Sequence, residues 1–158
     1  MGRMAGWGLT ILRVAVGLVF VAHGAQHLFG VFGGPGLTGT AGYFTELGLE
    51  PAWPLAVAWA VAEFGCGILV FIGAWTRWAV IPLIGGMAAA VWKVHLVNGF
   101  FLNWSLAAGV GHGYEFQFVL IAACACLALT GAGELSVDQF LTRNAEQALA
   151  GRQRIRGM

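Results

Sequence analysis

The chain has 158 residues, of which 59% are hydrophobic and only 9% are charged. Together with its 25 glycines, about three quarters of the chain is apolar or glycine, whereas soluble domains contain about 45–50%. A water-soluble fold of this size has too little interior to bury that much apolar surface. The composition therefore excludes a soluble enzyme and a disordered chain. The net charge of +1 excludes a nucleic-acid binder, which needs a basic face.

Four apolar segments meet the requirement of about 20 residues for a helix that crosses the hydrocarbon core of a lipid bilayer. They cover approximately residues 7–29, 53–73, 78–98 and 114–130, and each begins at a tryptophan or tyrosine, as expected at the headgroup level. Their hydrophobicity is continuous and not alternating, which argues against barrel strands. The sequence predicts an all-α integral membrane protein, with a four-helix bundle over residues 1–135 and a basic tail over 136–158.

The placement of lysine and arginine predicts the orientation of the spans. The tail carries four arginines, and the turn between the second and third spans carries Arg77. The two longer connections, residues 30–52 and 99–113, carry no lysine or arginine. Because basic residues are retained on the cytoplasmic side, we expect both termini and the Arg77 turn in the cytoplasm.

Two segments outside the spans have helical patterns. In the first long connection, Thr40 can cap a short helix over residues 41–47, which would lie along the membrane surface and end at Gly48. In the tail, apolar residues recur at helical spacing beside basic residues. That pattern is typical of a soluble or surface-lying amphipathic helix.

Ionisable residues inside the predicted spans are the most informative feature of the sequence. An Asp, Lys or Arg at the centre of a membrane helix costs about 2.5–3.5 kcal/mol, so it normally faces a partner, a cavity or a ligand. Glu63 falls near the midplane. The outer half of the bundle receives four further titratable residues at a similar depth, namely His23, His27, His95 and Glu115. We interpret these five residues as candidate ligand-binding groups.

Some of the ionisable residues in the spans can instead have structural roles. Arg13 and Glu63 can form an ion pair inside the bundle, since each would otherwise be unpaired in a low dielectric. Glu115 can be hydrated at the membrane boundary. Lys93 can extend to the outer interface, and it lies about 200° from His95 on a helical wheel, so we expect the two not to face one cavity.

His23 and His27 are four residues apart, a spacing at which two histidines can also ligate a metal or haem. Intramembrane histidines hydrogen-bonded to a neighbour are commoner, so we expect neither haem nor a metal site. A cluster of His, Glu and Lys among aromatic rings suits a planar apolar ligand with a polar head, such as a quinone. Quinone reduction takes up two protons, and quinol oxidation releases them, so such a site needs groups that titrate near neutral pH.

The first span resembles that of the DoxX family of small four-span bacterial membrane proteins, in the order Leu12-Arg13…Gly17…Phe20…His23-Gly24…His27. The second span resembles it in Glu63…Gly67-Ile68-Leu69…Gly73-Ala74-Trp75-Thr76-Arg77. Members of this family resemble or accompany the membrane part of thiosulfate:quinone oxidoreductase, or redox-stress complexes. The resemblance therefore implies a location in the bacterial inner membrane, and other membrane or peripheral redox subunits as partners beside the lipid bilayer. It also implies a polar bundle core formed by Arg13, Glu63 and His27.

Two functions from different classes remain. The leading prediction is a membrane subunit of a bacterial oxidoreductase system that contacts quinone through the outer-half His and Glu residues. The alternative is a non-catalytic anchor or assembly subunit of a larger membrane complex. Gly17 and Gly24, which share a helix face with Arg13 and His27 and allow a neighbouring helix to approach closely, favour this alternative, as does the basic tail.

Overall fold

A computed structural model describes residues 2–156 as an arrangement of helices. They are α1 (Arg3–Phe29), α2 (Gly36–Glu46), α3 (Ala52–Ile72), α4 (Thr76–Ala90), α5 (Glu115–Thr130) and α6 (Val137–Arg156). The axis of α4 continues through a π-helical turn over Val91–His95 and a 3-10 turn over Leu96–Asn98. No strand occurs between residues 2 and 156, so the predicted all-α fold is confirmed.

Three of these helices are long and apolar enough to cross a membrane: Met4–Phe29, Ala52–Ile72 and Thr76–Asn98. The fourth apolar helix, α5, has 16 residues and is therefore about 24 Å long, shorter than the roughly 30 Å of a hydrocarbon core. It packs against α4 and α1 and completes a four-helix bundle with α3. The core between these helices contains Val16, Phe20, Val70, Val80, Leu83, Cys124 and Leu127.

The most extensive helix pair is α1 with α3, and glycines bring the two backbones together. A Cβ atom on Gly17 would lie 2.5 Å from the backbone nitrogen of Phe71. A Cβ atom on Gly24 would lie 2.5 Å from the backbone nitrogen of Phe64. Only glycine fits at such distances, so the prediction that Gly17 and Gly24 allow a close helix neighbour is confirmed.

One end of the bundle carries α2, and we call it the α2 end. The helix begins at Gly36, directly after Pro35, whose fixed φ is compatible with a helix start. The prediction that Thr40 caps a helix over 41–47 is therefore wrong: Thr40 lies inside the helix, is buried, and donates its hydroxyl to the carbonyl of Gly36 at 2.8 Å. Through contacts with α3 and α1, α2 lies across this end of the bundle.

The opposite end carries the connection from α5 to α6, and we call it the α6 end. The amide of Glu134 donates to the carbonyl of Gly6 at 3.2 Å, and that of Asp138 donates to the carbonyl of Gly73 at 2.9 Å. The carboxylate of Asp138 accepts the amide protons of Trp75 at 2.7 Å and Thr76 at 3.0 Å, and so caps the start of α4. These bonds fix the connection against the bundle.

The predicted amphipathic tail is the 20-residue helix α6. Its first turn is held by the bonds at Asp138, whereas the large apolar side chains farther along it are exposed. They include Phe140, Leu141 and Leu149. The tail is thus a helix with an apolar face that the described part of the bundle leaves uncovered.

Candidate functional site

The α2 end contains a cavity of about 870 Å³, formed by residues from all five helices α1 to α5. This volume falls within the range of roughly 300–1,000 Å³ that is usual for small-molecule sites. Apolar and aromatic side chains make up most of the wall, including Phe20, Tyr43, Phe44, Trp59, Met87 and Phe116. The ring of Trp59 lies against Gly86, where a side chain would leave it no room. The cavity therefore suits a largely apolar molecule.

A histidine and a glutamate form a hydrogen-bonded pair in this wall. Nδ1 of His27 lies 2.7 Å from Oε2 of Glu63, and the Glu63 side chain is 2% exposed against 29% for His27. A carboxylate held this deeply needs such a partner, because desolvation without one is costly. Since Nδ1 is engaged by Glu63, Nε2 is the ring nitrogen that remains available to a molecule in the cavity.

A second polar pair comes from the α4 extension and α5. Nδ1 of His95 lies 2.9 Å from the carbonyl oxygen of His112, so this nitrogen carries a proton and donates it. Nε2 of the same ring lies 2.9 Å from Nε2 of Gln117 and accepts a hydrogen bond from that amide. Oε1 of Gln117 is buried and has no hydrogen-bond partner within residues 2–156.

Gln117 was missed in the sequence analysis because it does not titrate. A signal was nevertheless present, since it is the only side-chain amide in the apolar run of α5. A buried amide without a hydrogen-bond partner destabilises a protein, as an unpaired buried charge does, although by a smaller free energy.

Two further basic side chains line the cavity. His23 donates from Nδ1 to the carbonyl of Val19 at 2.9 Å. Lys93 places Nζ 4.8 Å from the centre of the Trp92 ring. The expectation that Lys93 and His95 do not face one cavity is wrong, because the cavity is wide enough for both side chains to line it.

Besides the histidines, Glu63 and Lys93, the wall of the cavity contains one more titratable side chain, Tyr43 of α2. Burial raises the pKa of the Tyr43 phenol, and the charge of Glu46 adds to this effect. The phenol therefore remains protonated at neutral pH and can donate a hydrogen bond.

Glu115 does not line the cavity, so its assignment as a ligand-binding group is not supported by its position. Its Oε1 accepts the amide proton of Leu102 at 2.9 Å, and its own amide donates to the carbonyl of Phe100 at 2.9 Å. Glu115 thereby anchors the connection between α4 and α5. The structure brings together the other four predicted residues, His23, His27, Glu63 and His95, in the one cavity.

The predicted ion pair between Arg13 and Glu63 is wrong. The guanidinium of Arg13 donates from Nη1 to the carbonyls of Val70 at 3.3 Å and Phe71 at 2.5 Å, and from Nη2 to that of Leu135 at 3.2 Å. These acceptors lie at the carboxyl end of α3 and in the α5–α6 connection. Glu63 lies eight residues before Phe71, which places the two residues about 12 Å apart along α3. At that position Glu63 has His27 as its partner.

The residues that the structure describes include no group of three or more His, Cys, Asp or Glu side chains placed to hold a metal ion.

Comparison with known proteins gives a relative and a family. No solved structure matches the chain significantly. Rv3486, an uncharacterized membrane protein of Mycobacterium tuberculosis (strain ATCC 25618 / H37Rv), is 31% identical over 137 residues, which are 85% of this chain and 81% of the relative. The family model described as DoxX matches residues 8–96, from α1 to the end of the π-helical turn. That range contains His23, His27, Glu63 and His95. The chain is a membrane protein that belongs to the DoxX family.

Proposed function

We propose that the protein is a membrane subunit of a bacterial oxidoreductase system and that its cavity binds a quinone. The observation that carries this proposal is the buried carboxylate of Glu63, paired with His27 in the wall of an apolar cavity of about 870 Å³. A quinone has a planar ring with two polar oxygens and an apolar isoprenoid tail. The aromatic wall suits the ring, and the few polar groups suit the oxygens.

The chemistry of quinones gives the His27–Glu63 pair a role. Each interconversion of quinone and quinol moves two protons together with two electrons. Nε2 of His27 is able to exchange a proton with the ligand, while the Glu63 carboxylate orients the ring and stabilises its charged form. We assign electron exchange to partner redox subunits, with which this subunit would share the bound quinone.

Quinone content after purification tests the proposal. The protein, purified in mild detergent from a quinone-producing host, should carry quinone in a fixed ratio to protein, measured by solvent extraction and chromatography. His27→Phe and Glu63→Gln should each lose most of it. Glu46→Gln, which makes the same chemical change at an exposed position of α2, is the matched control and should retain it. Wild-type protein with no more quinone than empty detergent micelles would contradict the proposal.

We also propose that both termini are cytoplasmic, which places the cavity in the outer half of the bilayer. The support is the distribution of basic residues, with Arg77 and the arginines of α6 at one end of the bundle. In a variant whose three cysteines are replaced by alanine, a cysteine at Ser105 should react with a membrane-impermeant maleimide in intact spheroplasts. A cysteine at Gln147 should react only after lysis, and the reverse pattern would contradict this orientation.

The alternative, a non-catalytic anchor or assembly subunit, is favoured by the uncovered apolar face of α6. It predicts that the protein occurs in a complex with fixed stoichiometry, whose redox activity survives replacement of His23, His27 and His95 by phenylalanine. Loss of that activity would instead favour the quinone site.

A further inference from the structure

We infer that α6 lies along the surface of the lipid leaflet at the α6 end of the bundle and binds anionic phospholipid there. Its apolar face enters the leaflet, and its arginines meet the phosphates of the headgroups. None of the described residues of α6 lines the cavity at the α2 end, so this role is independent of a quinone site there.

Beyond its first turn, α6 has no surface to pack on within the described part of the chain. Every residue from Phe140 to Gln153 is exposed. In folded proteins, most of the stability of a helix comes from the packing of its apolar face. Gly151, inside the helix, lowers its intrinsic stability further. A helix of 20 residues in this state needs another surface to cover its apolar side.

The apolar residues of α6 form one continuous face. At about 100° per residue from Leu141, they occupy an arc from about −100° to +80°. They are Val137, Phe140, Leu141, Ala145, Ala148 and Leu149. The opposite side carries Gln139, Arg143, Glu146 and Gln147, and Asn144 is the one polar residue on the apolar arc between residues 139 and 149. A face of this width is typical of helices that lie in a membrane interface.

The start of α6 is held at the level of the lipid headgroups. Its Asp138 binds the backbone of Gly73, Trp75 and Thr76, where α4 begins. The indoles of Trp75 and Trp78 are exposed at the same place, and tryptophan is enriched at the headgroup level of membranes. Because the bundle itself spans the bilayer, a leaflet lies beside α6 without any further protein.

The charges of α6 specify the kind of lipid. Of its two acidic residues, Asp138 already caps α4, and the arginine of the first half, Arg143, lies 3.2 Å from Glu134. The second half, residues 147–156, has no acidic residue and three arginines, Arg152, Arg154 and Arg156. Arginines on an amphipathic helix attract anionic lipids.

Arg152 falls on the apolar arc, about 20° from Leu141 on the helical wheel. In water this position would interrupt the apolar face. At a leaflet, the aliphatic stem of an arginine can lie along the acyl chains while its guanidinium reaches the phosphates. The sequence of the apolar face thus fits a lipid surface better than a uniformly apolar protein groove.

Two spin-labelled variants test the position of α6. In full-length protein whose three cysteines are replaced by alanine, Ala148→Cys places a label on the apolar face. Ala150→Cys is the matched control, because it changes the same residue type two positions along and points to the opposite side. Both alanines are exposed. The accessibility of each label to oxygen, which concentrates among acyl chains, and to a water-soluble nickel chelate is measured by electron paramagnetic resonance.

The measurements are made in nanodiscs of phosphatidylcholine alone and of phosphatidylcholine mixed with phosphatidylglycerol. In the mixed nanodiscs, we expect the Ala148→Cys label about 5–10 Å inside the boundary between headgroups and acyl chains, and the Ala150→Cys label in water. In phosphatidylcholine alone, the Ala148→Cys label should move towards water. High salt should have the same effect in the mixed nanodiscs, because it screens the attraction between arginines and headgroups.

Substitution of the arginines assigns the lipid preference to them. Replacing Arg152, Arg154 and Arg156 by glutamine should give the Ala148→Cys label the same position in both kinds of nanodisc. Arg77→Gln is the matched control, since Arg77 is an exposed arginine at the same end of the bundle but outside α6. It should leave the dependence on phosphatidylglycerol unchanged.

Three results would overturn the inference. Equal access of the nickel chelate to both labels in the mixed nanodiscs would place α6 in water. A label at position 148 that lies equally deep with and without phosphatidylglycerol would exclude recognition of anionic lipid. Exclusion of both reagents from that label would show that protein covers the face. Each result leaves the quinone proposal standing, because quinone content is measured separately.

Discussion

The two ends of the bundle stabilise a buried ionisable side chain with different kinds of hydrogen-bond partner. At the α6 end, Arg13 is 2% exposed, and its guanidinium donates hydrogen bonds to three backbone carbonyls. At the α2 end, Glu63 is equally buried, but its one hydrogen-bond partner in the described part of the chain is His27, and both line a cavity. Burial alone therefore does not show how a buried charge is stabilised, whereas the number and kind of its hydrogen-bond partners do.

The α6 end shows why a cation is stable without an acidic partner. The carbonyl of Phe71, in the last turn of α3, has no amide donor within the helix, whereas that of Val70 accepts the amide proton of Gly73 at 3.1 Å. The carboxyl end of a helix also carries a partial negative charge. Arg13 satisfies these carbonyls and the carbonyl of Leu135. No comparable set of backbone groups surrounds Glu63 in the middle of α3, so its stabilisation depends on a side chain that can also exchange a proton.

Removing the structural charge should have the largest effect. Arg13→Met keeps the apolar stem but leaves the carbonyls of Phe71 and Leu135 without their donor, so we expect a loss of about 2–5 kcal/mol in the free energy of unfolding. Thermal unfolding in detergent, followed by circular dichroism, measures it. Arg77→Met, on the exposed surface of the same end, is the control. Equal stability of the two variants would show that the bonds of Arg13 are dispensable.

Disrupting the close packing of α1 on α3, which runs between the two ends, should have the next largest effect on stability. Gly24→Ala would place a Cβ atom 2.5 Å from the backbone nitrogen of Phe64, so the helices must separate, at a cost of about 1–3 kcal/mol. Gly8→Ala is the matched control in the same helix, because a Cβ there has no atom within 4 Å among the described residues, and alanine favours helix. The same unfolding measurement should show Gly24→Ala destabilised and Gly8→Ala unchanged or stabilised. Equal values would contradict the close approach.

The cap on α4 should have the smallest effect. Asp138→Ala removes the carboxylate that accepts the amide protons of Trp75 and Thr76, which should cost about 1 kcal/mol. Hydrogen exchange at those two amides should accelerate, while exchange at the α2 end stays the same. Unchanged protection of both amides would mean that Asp138 does not cap the helix.

The sequence predicted the features that depend on composition and periodicity. These are the helices, the close approach at Gly17 and Gly24, and the convergence of His27 and Glu63. It failed where backbone groups are the partners, because a carbonyl has no sequence signature: Arg13 was paired with a carboxylate when its acceptors are carbonyls. Glu115 was predicted to bind a ligand, but its bond to Leu102 depends on the path of a loop that spacing does not define.

Helical periodicity also failed as a guide to which residues share the cavity. The helical wheel places Lys93 and His95 on nearly opposite sides, yet both line the cavity because it is wide. Gln117 was overlooked because the search followed titratable residues, although its amide binds His95 in the wall of the cavity.

Photolabelling with a quinone that carries a photoreactive group near its ring tests most directly whether one end of the bundle is a binding site and the other is structural. After irradiation in nanodiscs and digestion, mass spectrometry locates the labelled peptides. Labels should fall on α2, on the Trp59–Glu63 part of α3 and near Met87, and excess unlabelled quinone should remove them. Labelling concentrated around Arg13 and the α5–α6 connection, or labelling of the α2 end that excess quinone leaves unchanged, would contradict the account.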